Sequence, residues 1–188
     1  LGSENSNLPG FVTICPTLAH GGVNNWGSAF LPAQFQGTPM GNASMPSSQA
    51  RIRYIANESG ESREQQRAEL NWIQQWNRNH ANIAGNAPEL EGRIEAMELA
   101  FRMQSEMPEA EDISQEDEAT HRLYGLDNPL TSNFGRQCLL ARRLSERGVR
   151  FVQVTHSDAM VQWDQHGDLK NGHEKNAKEV DLPIAGLL

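Results

Sequence analysis

The run Val149-Arg-Phe-Val-Gln-Val-Thr-His156 constrains this chain more than any other stretch of its sequence. Its β-branched and aromatic residues, in partial alternation, predict a buried strand. Gly148 in front of it is the residue a preceding helix uses to stop. That helix is expected over about Phe134 to Arg147, with Thr131, Ser132 or Asn133 as N-cap and Arg142, Arg143 and Arg147 towards its negative end. Helix, glycine, strand, polar loop and helix form an α/β unit, and open α/β sheets keep their ligand sites outside the carboxyl ends of the strands.

Chemistry-bearing residues collect at that end. His156 stands just past the strand, Trp163-Asp164-Gln165-His166 lies in the following loop, and His173 begins the next helix, whose apolar stripe is Ala177, Val180, Ile184 and Leu187 or Leu188. Asp164 and His166 are too close in sequence to be helical i,i+4 partners, but suit a loop wrapped round an ion. The candidate metal ligands are therefore Asp164 and His166, with His173 and His156 as further ligands or as orienting partners. A carboxylate with an imidazole fits zinc or manganese better than an all-oxygen calcium or magnesium site. The plainer alternative is a hydrogen-bonded structural histidine beside a chance Asp-x-His, with Trp163 as a packing residue or a pocket wall.

At 188 residues the chain has the length of one domain with its own core, yet only 37% of its residues are apolar, so much of it must be loop and solvated helix. A formal net charge of −8 with no basic stripe argues against nucleic-acid or anionic-membrane partners. No run is long and apolar enough for a membrane span, and no export signal is visible. Leu1 is not a start residue, and Leu187-Leu188 ends the sequence inside an amphipathic helix, so both termini are read as truncated. Cys15 and Cys138 form neither a CxxC nor a disulfide framework; buried thiols are the default reading.

Gly10 to Pro16 predicts a second short buried strand, ended by proline. About forty residues rich in Gly, Pro, Asn and Ser follow it, and a loop that long is usually functional or disordered. Trp26, Phe30 and Phe35 favour an ordered loop, and Arg51 to Ile55 is a candidate for a docked strand. Ser62 and Gln65 form a capping box ahead of a helix whose packing stripe is Trp72, Ile73, Trp76 and His80. A second helix, Ala87 to Met103, carries Leu90, Ile94, Met97 and Phe101 and is expected to end before Pro108. The acidic stretch Glu106 to Glu118 reads as a solvated linker, with a helix starting near Ser114. This helical excursion, about 61–123, is expected to be a cap or insertion beside the sheet.

Several stretches together carry a resemblance. Leu1-Gly-Ser-Glu-Asn-Ser-Asn-Leu-Pro-Gly-Phe-Val12, Asn25-Trp-Gly-Ser-Ala-Phe-Leu-Pro32, Glu98-Leu-Ala-Phe-Arg-Met-Gln104, Tyr124-Gly-Leu-Asp127, Phe134-Gly-Arg-Gln-Cys-Leu-Leu-Ala-Arg-Arg-Leu144 and Trp163-Asp-Gln-His-Gly-Asp-Leu169 occur in an order that resembles the bacterial sulfatase-like family catalogued as domain of unknown function 1501. That family is assigned to the alkaline-phosphatase-like superfamily. The resemblance implies an α/β fold with a mostly parallel sheet flanked by helices, here as one incomplete domain over 1–188. It also implies an exported, metal-dependent hydrolase of small-molecule or carbohydrate sulfate or phosphate esters. The superfamily nucleophile would lie upstream of Leu1 and further ligand motifs beyond Leu188, so residues 1–188 alone should be inactive. Cys15 lacks the Cys-x-Pro-x-Arg context of a sulfatase nucleophile, being followed by Pro16-Thr17-Leu18. Two further readings are a non-catalytic binding protein that keeps the hydrolase fold, and a phosphomutase or other metal-dependent enzyme of the same superfamily.

Three structural expectations follow. The strands near Phe11 to Cys15 and Val149 to Thr155 should be parallel neighbours. The loop from His20 to Pro32 should fold over the carboxyl end of the sheet towards His166. Asp164 and His166 should bind one divalent ion.

Overall fold

A computed structural model describes residues 4–19, 21–55, 60–85, 88–156 and 163–188. Strands β1 (Phe11–Ile14), β2 (Thr38–Met40) and β3 (Phe151–Val154) form one sheet in the order β2-β1-β3. Both pairings are parallel, and Val12 stands beside Thr38 on one side and Val152 on the other. The expected neighbours are thus adjacent. Val12, Thr13 and Ile14 are all fully buried, the condition of a central parallel strand covered on both faces.

Five helices accompany the sheet among the described residues: α1 (Arg63–Ala84), α2 (Pro88–Glu111), α3 (Glu118–Leu123), α4 (Ser132–Glu146) and α5 (Leu169–Leu187). The α4 helix delivers the chain into β3 as expected. Gly148, at φ 94°, donates to Ser145 O at 3.0 Å and Val149 to Leu144 O at 3.1 Å. This pair of bonds closes the helix in a Schellman motif and aims the chain back along the sheet. Leu139, Leu140 and Leu144 of α4 join Val12, Ile14 and Met40 in the core.

Among its described residues, the segment between β1 and β2 contains short 3-10 turns at Gly22–Asn25 and Ala33–Phe35 and no α-helix. It must run back to the start of β2, because two parallel strands need a crossover. Gly27, Ser28 and Leu31 accordingly lie in a cleft with Phe11 and Phe151, which begin their strands. This part of the loop therefore serves the amino end of the sheet, not the carboxyl end. His20, whose distance to His166 was the point of the expectation, lies outside the described residues. The candidate strand Arg51 to Ile55 reduces to one antiparallel bridge between Ile52 and Met40.

The α1–α2 hairpin reverses an expectation about packing. The capping box is present: Gln65 N donates to Ser62 Oγ at 3.2 Å, and Ser62 N to Gln65 Oε1 at 2.8 Å. However, Trp72 and Trp76 are 59% and 63% exposed, their rings 4.9 Å apart on the solvent side. Polar groups join the two helices instead. Buried Gln74 donates to Ile94 O at 2.9 Å, Arg67 grips Glu98 at 2.7 and 2.8 Å, and the Arg67 and Arg63 guanidiniums lie over the Phe101 ring.

The acidic stretch is also more ordered than its charge suggests. The α2 helix continues through Pro108 to Glu111 and buries Met103, Met107, Ala110 and Glu111. Its end is held by α4: the Arg143 guanidinium donates to Glu109 O at 2.8 Å and Ala110 O at 3.2 Å, carbonyls that have no acceptor role left inside the helix. Met103, Met107 and Ala110 belong to the same core as β1 and α4.

Candidate functional site

Strand β3 ends at Val154, and His156 emerges at its carboxyl end with its side chain 13% exposed. Phe134, in the first turn of α4, meets the imidazole edge to face, with ring centroids 5.0 Å apart. The indole of Trp163 donates from Nε1 to His156 Nδ1 at 2.9 Å. An indole N–H can only donate, so Nδ1 must carry the lone pair and the proton sits on Nε2. Nε2 then donates to Glu179 Oε2 at 3.0 Å. The carboxylate comes from the middle of α5 and is itself largely buried, at 15% exposure. One tautomer of one histidine is thereby fixed from both sides. Long-range proton–nitrogen spectra should show His156 protonated at Nε2 alone, and Trp163→Phe should introduce the second tautomer; an Nδ1-protonated ring in the unsubstituted protein would refute this arrangement.

Asp164 and His166 lie side by side on the loop. His166 Nε2 lies 2.9 Å from Asp164 Oδ2, with the two side chains 83% and 62% exposed respectively. The loop that carries them is seated on α5. Gln165 rests on Gly172, where a Cβ would press on the Gln165 side-chain amide and make it shift. His173, one residue on, lies against the Trp163 indole with centroids 6.0 Å apart. Trp163 thus connects the predicted residues: it bonds His156, stacks on His173 and precedes Asp164.

The predicted residues form two groups rather than one. His156 belongs with Trp163, Glu179 and Phe134 in a half-buried cluster, and Asp164 and His166 form an exposed pair on the rim. Among the described residues, no group of three or more His, Cys, Asp or Glu side chains is arranged to hold a metal ion. The pair fits such an ion in donor chemistry, while its 2.9 Å separation is that of a direct hydrogen bond. Two donors about 2.0–2.1 Å from one zinc ion stand roughly 3.3 Å apart across a tetrahedral angle. His156 has both ring nitrogens committed within the protein.

Sequence reasoning missed Glu179 and Phe134. The apolar stripe assigned to α5 is displaced: Asn176, Val180 and Pro183 are the buried positions, while Leu182, Ile184 and Leu187 are exposed. The inward face therefore runs from His173 through Asn176 to Glu179 and Val180. Polar residues at that three- and four-residue spacing, pointing at a strand end, are the signal that could have located Glu179. The Thr155 hydroxyl beside His156 is buried with no hydrogen-bond partner among the described residues, an oxygen that water or a bound group would satisfy.

Both thiols are buried. Burial pushes the Cys15 pKa up to about 11 and the Cys138 pKa up to about 12, so both stay protonated near neutrality. Cys15 follows β1 with φ 48°, a left-handed conformation that costs a non-glycine residue energy, and its N–H donates to Met40 O at 2.9 Å. No helix among the described residues is long and apolar enough to cross a membrane.

Comparison with curated proteins gives no match, and no solved structure matches either. The family described as "Protein of unknown function (DUF1501)" matches residues 1–188. Over its whole length, then, the chain belongs to the DUF1501 family.

Proposed function

We propose that this chain supplies part of the centre of a metal-dependent hydrolase acting on sulfate or phosphate esters, in an alkaline-phosphatase-like fold exported from the cell. The observation that carries the reading is the Asp164–His166 pair, a carboxylate and an imidazole 2.9 Å apart on the loop after the carboxyl end of a parallel strand. In this reading Asp164 and His166 are ligands of a divalent ion, zinc or manganese before calcium or magnesium, and the remaining ligands and the nucleophile come from outside the described residues. The bound ion would neutralise the ester oxyanion and make a hydroxyl or water easier to deprotonate. His173 supports the loop through Trp163, and His156 holds Trp163 through its fixed lone pair. Residues 1–188 alone should be inactive in this account.

A second reading is a non-catalytic binding protein that keeps the fold. It is favoured by His156, whose two nitrogens are both engaged by Trp163 and Glu179. A panel of sulfate and phosphate esters, offered to the full-length protein with and without a chelator, separates the two. Hydrolysis of one ester class that chelation abolishes is the expected result. Metal binding without turnover of any ester would move the non-catalytic reading into first place.

A further inference from the structure

Phe134 meets His156, but its neighbours on α4, Asn133 and Arg136, line a separate cleft of about 1020 Å3. The opposite wall is the segment around Arg51 and the end of α2 at Glu111. That wall is fixed by its own bonds. Arg51 Nη1 donates to Ala50 O at 2.7 Å, its Nε lies 3.5 Å from Glu111 Oε2, and Glu111 Oε1 accepts from Ile52 N at 3.0 Å. Glu111 is 6% exposed and has both carboxylate oxygens in use. Ser47 N donates to Asn133 Oδ1 at 2.8 Å and ties the segment to the first turn of α4.

Arg136 is the exception in this bonded surface. It is half-buried and makes no hydrogen bond or ion pair with any described residue. Burial, and then the positive charge of Arg51, hold its pKa below the ordinary guanidinium value, against a smaller opposing pull from Asp112. Asp112 is occupied in accepting from Ser114 N at 2.9 Å. The amino end of α4 adds positive potential of its own. A partly desolvated guanidinium without a partner favours a negative group beside it. The remaining walls mix apolar Ile55, Ile113 and Leu126 with the polar Ser48, Ser114, His121 and Ser132, and leave room for far more than an inorganic ion.

We propose that this cleft binds a small organic oxyanion, a sulfate, phosphate or carboxylate on an apolar body, with Arg136 as its principal ligand and Arg51 as the second. The site is independent of the metal centre proposed above. It is tested by calorimetric titration of benzenesulfonate, phenylphosphonate and benzoate into the full-length, metal-stripped protein in metal-free, phosphate-free buffer. Neutral benzamide is the control ligand.

At least one of the three anions should bind saturably and benzamide should not; which anion binds identifies the headgroup. Arg136→Ala should weaken that binding roughly 10- to 100-fold, and Arg136→Lys by less, because it keeps the charge without the planar fork. Arg150→Ala, outside the cleft, should bind as the unsubstituted protein does. The melting temperature of Arg136→Ala should be equal or higher, since an uncompensated charge is removed. No saturable binding of any of the three anions, equal binding of benzamide, or undiminished binding by Arg136→Ala would overturn the proposal. If Arg136→Ala does not fold, Arg136→Lys and the preference of the unsubstituted protein for anion over benzamide decide it in the same way.

Discussion

Replacing Arg143 by alanine is expected to destabilise the fold by about 3–5 kcal/mol, the range for removing one partner of a buried, hydrogen-bonded ion pair. Its side chain is 7% exposed and serves three groups at once. It donates to Glu109 O and Ala110 O at the end of α2, and it pairs with Glu116, which Arg142 also grips at 2.5 Å. Without Arg143 the two α2 carbonyls lose their donors, and Glu116 keeps only one of its two cations. Denaturant unfolding measures the loss directly; a change below about 1 kcal/mol, the range of an exposed pair, would show that α2 is held by apolar packing alone. A pH dependence accompanies it. Burial pushes the Glu116 carboxyl up, but the hydrogen bonds and charges of Arg142 and Arg143 outweigh that and hold its pKa below the ordinary value. A carboxyl whose folded pKa is lowered contributes stability that is present above its unfolded pKa and is lost as pH falls through the folded one. That acid-side loss should shrink in Arg143→Ala.

The same arginines show where the sequence was legible and where it was not. The Gly148 stop and the β-branched run after it depend on local backbone chemistry, and both appear in the structure as expected. So does the Ser62–Gln65 capping box. Arg142, Arg143 and Arg147 do stand towards the negative end of their own helix, where Arg147 donates to Arg143 O at 3.3 Å, but they also reach across to Glu116, Glu109 and the α2 carbonyls. Partners 26 to 38 residues away leave no trace in local spacing. Helical periodicity found α1, but it does not say which face is inward. Gln74 and Arg67 make the contact with α2, and the tryptophans face solvent. Likewise α2 runs on through Pro108, because Met107 and Ala110 are buried in the core. At the candidate site, the proximity of Asp164 to His166 was readable because it is local. Glu179 was not, because its role depends on how α5 is rotated against His156.

If Asp164 and His166 are metal ligands, as proposed, titration of zinc or manganese into the full-length protein will find one ion bound there. Each side chain is exposed, so substitution leaves the core untouched and any loss of binding belongs to the site. Asp164→Asn and His166→Ala should each lower the bound metal and abolish any ester hydrolysis, since losing a ligand removes the charge neutralisation on which the transition state depends. His173→Ala, which acts through Trp163, should cost about 10- to 100-fold. His80→Ala, on the exposed surface of α1, should change nothing. One ion should bind to the unsubstituted protein and to His80→Ala and be lost in both Asp164→Asn and His166→Ala; unchanged metal content in both of those variants would leave the pair a structural contact of the loop.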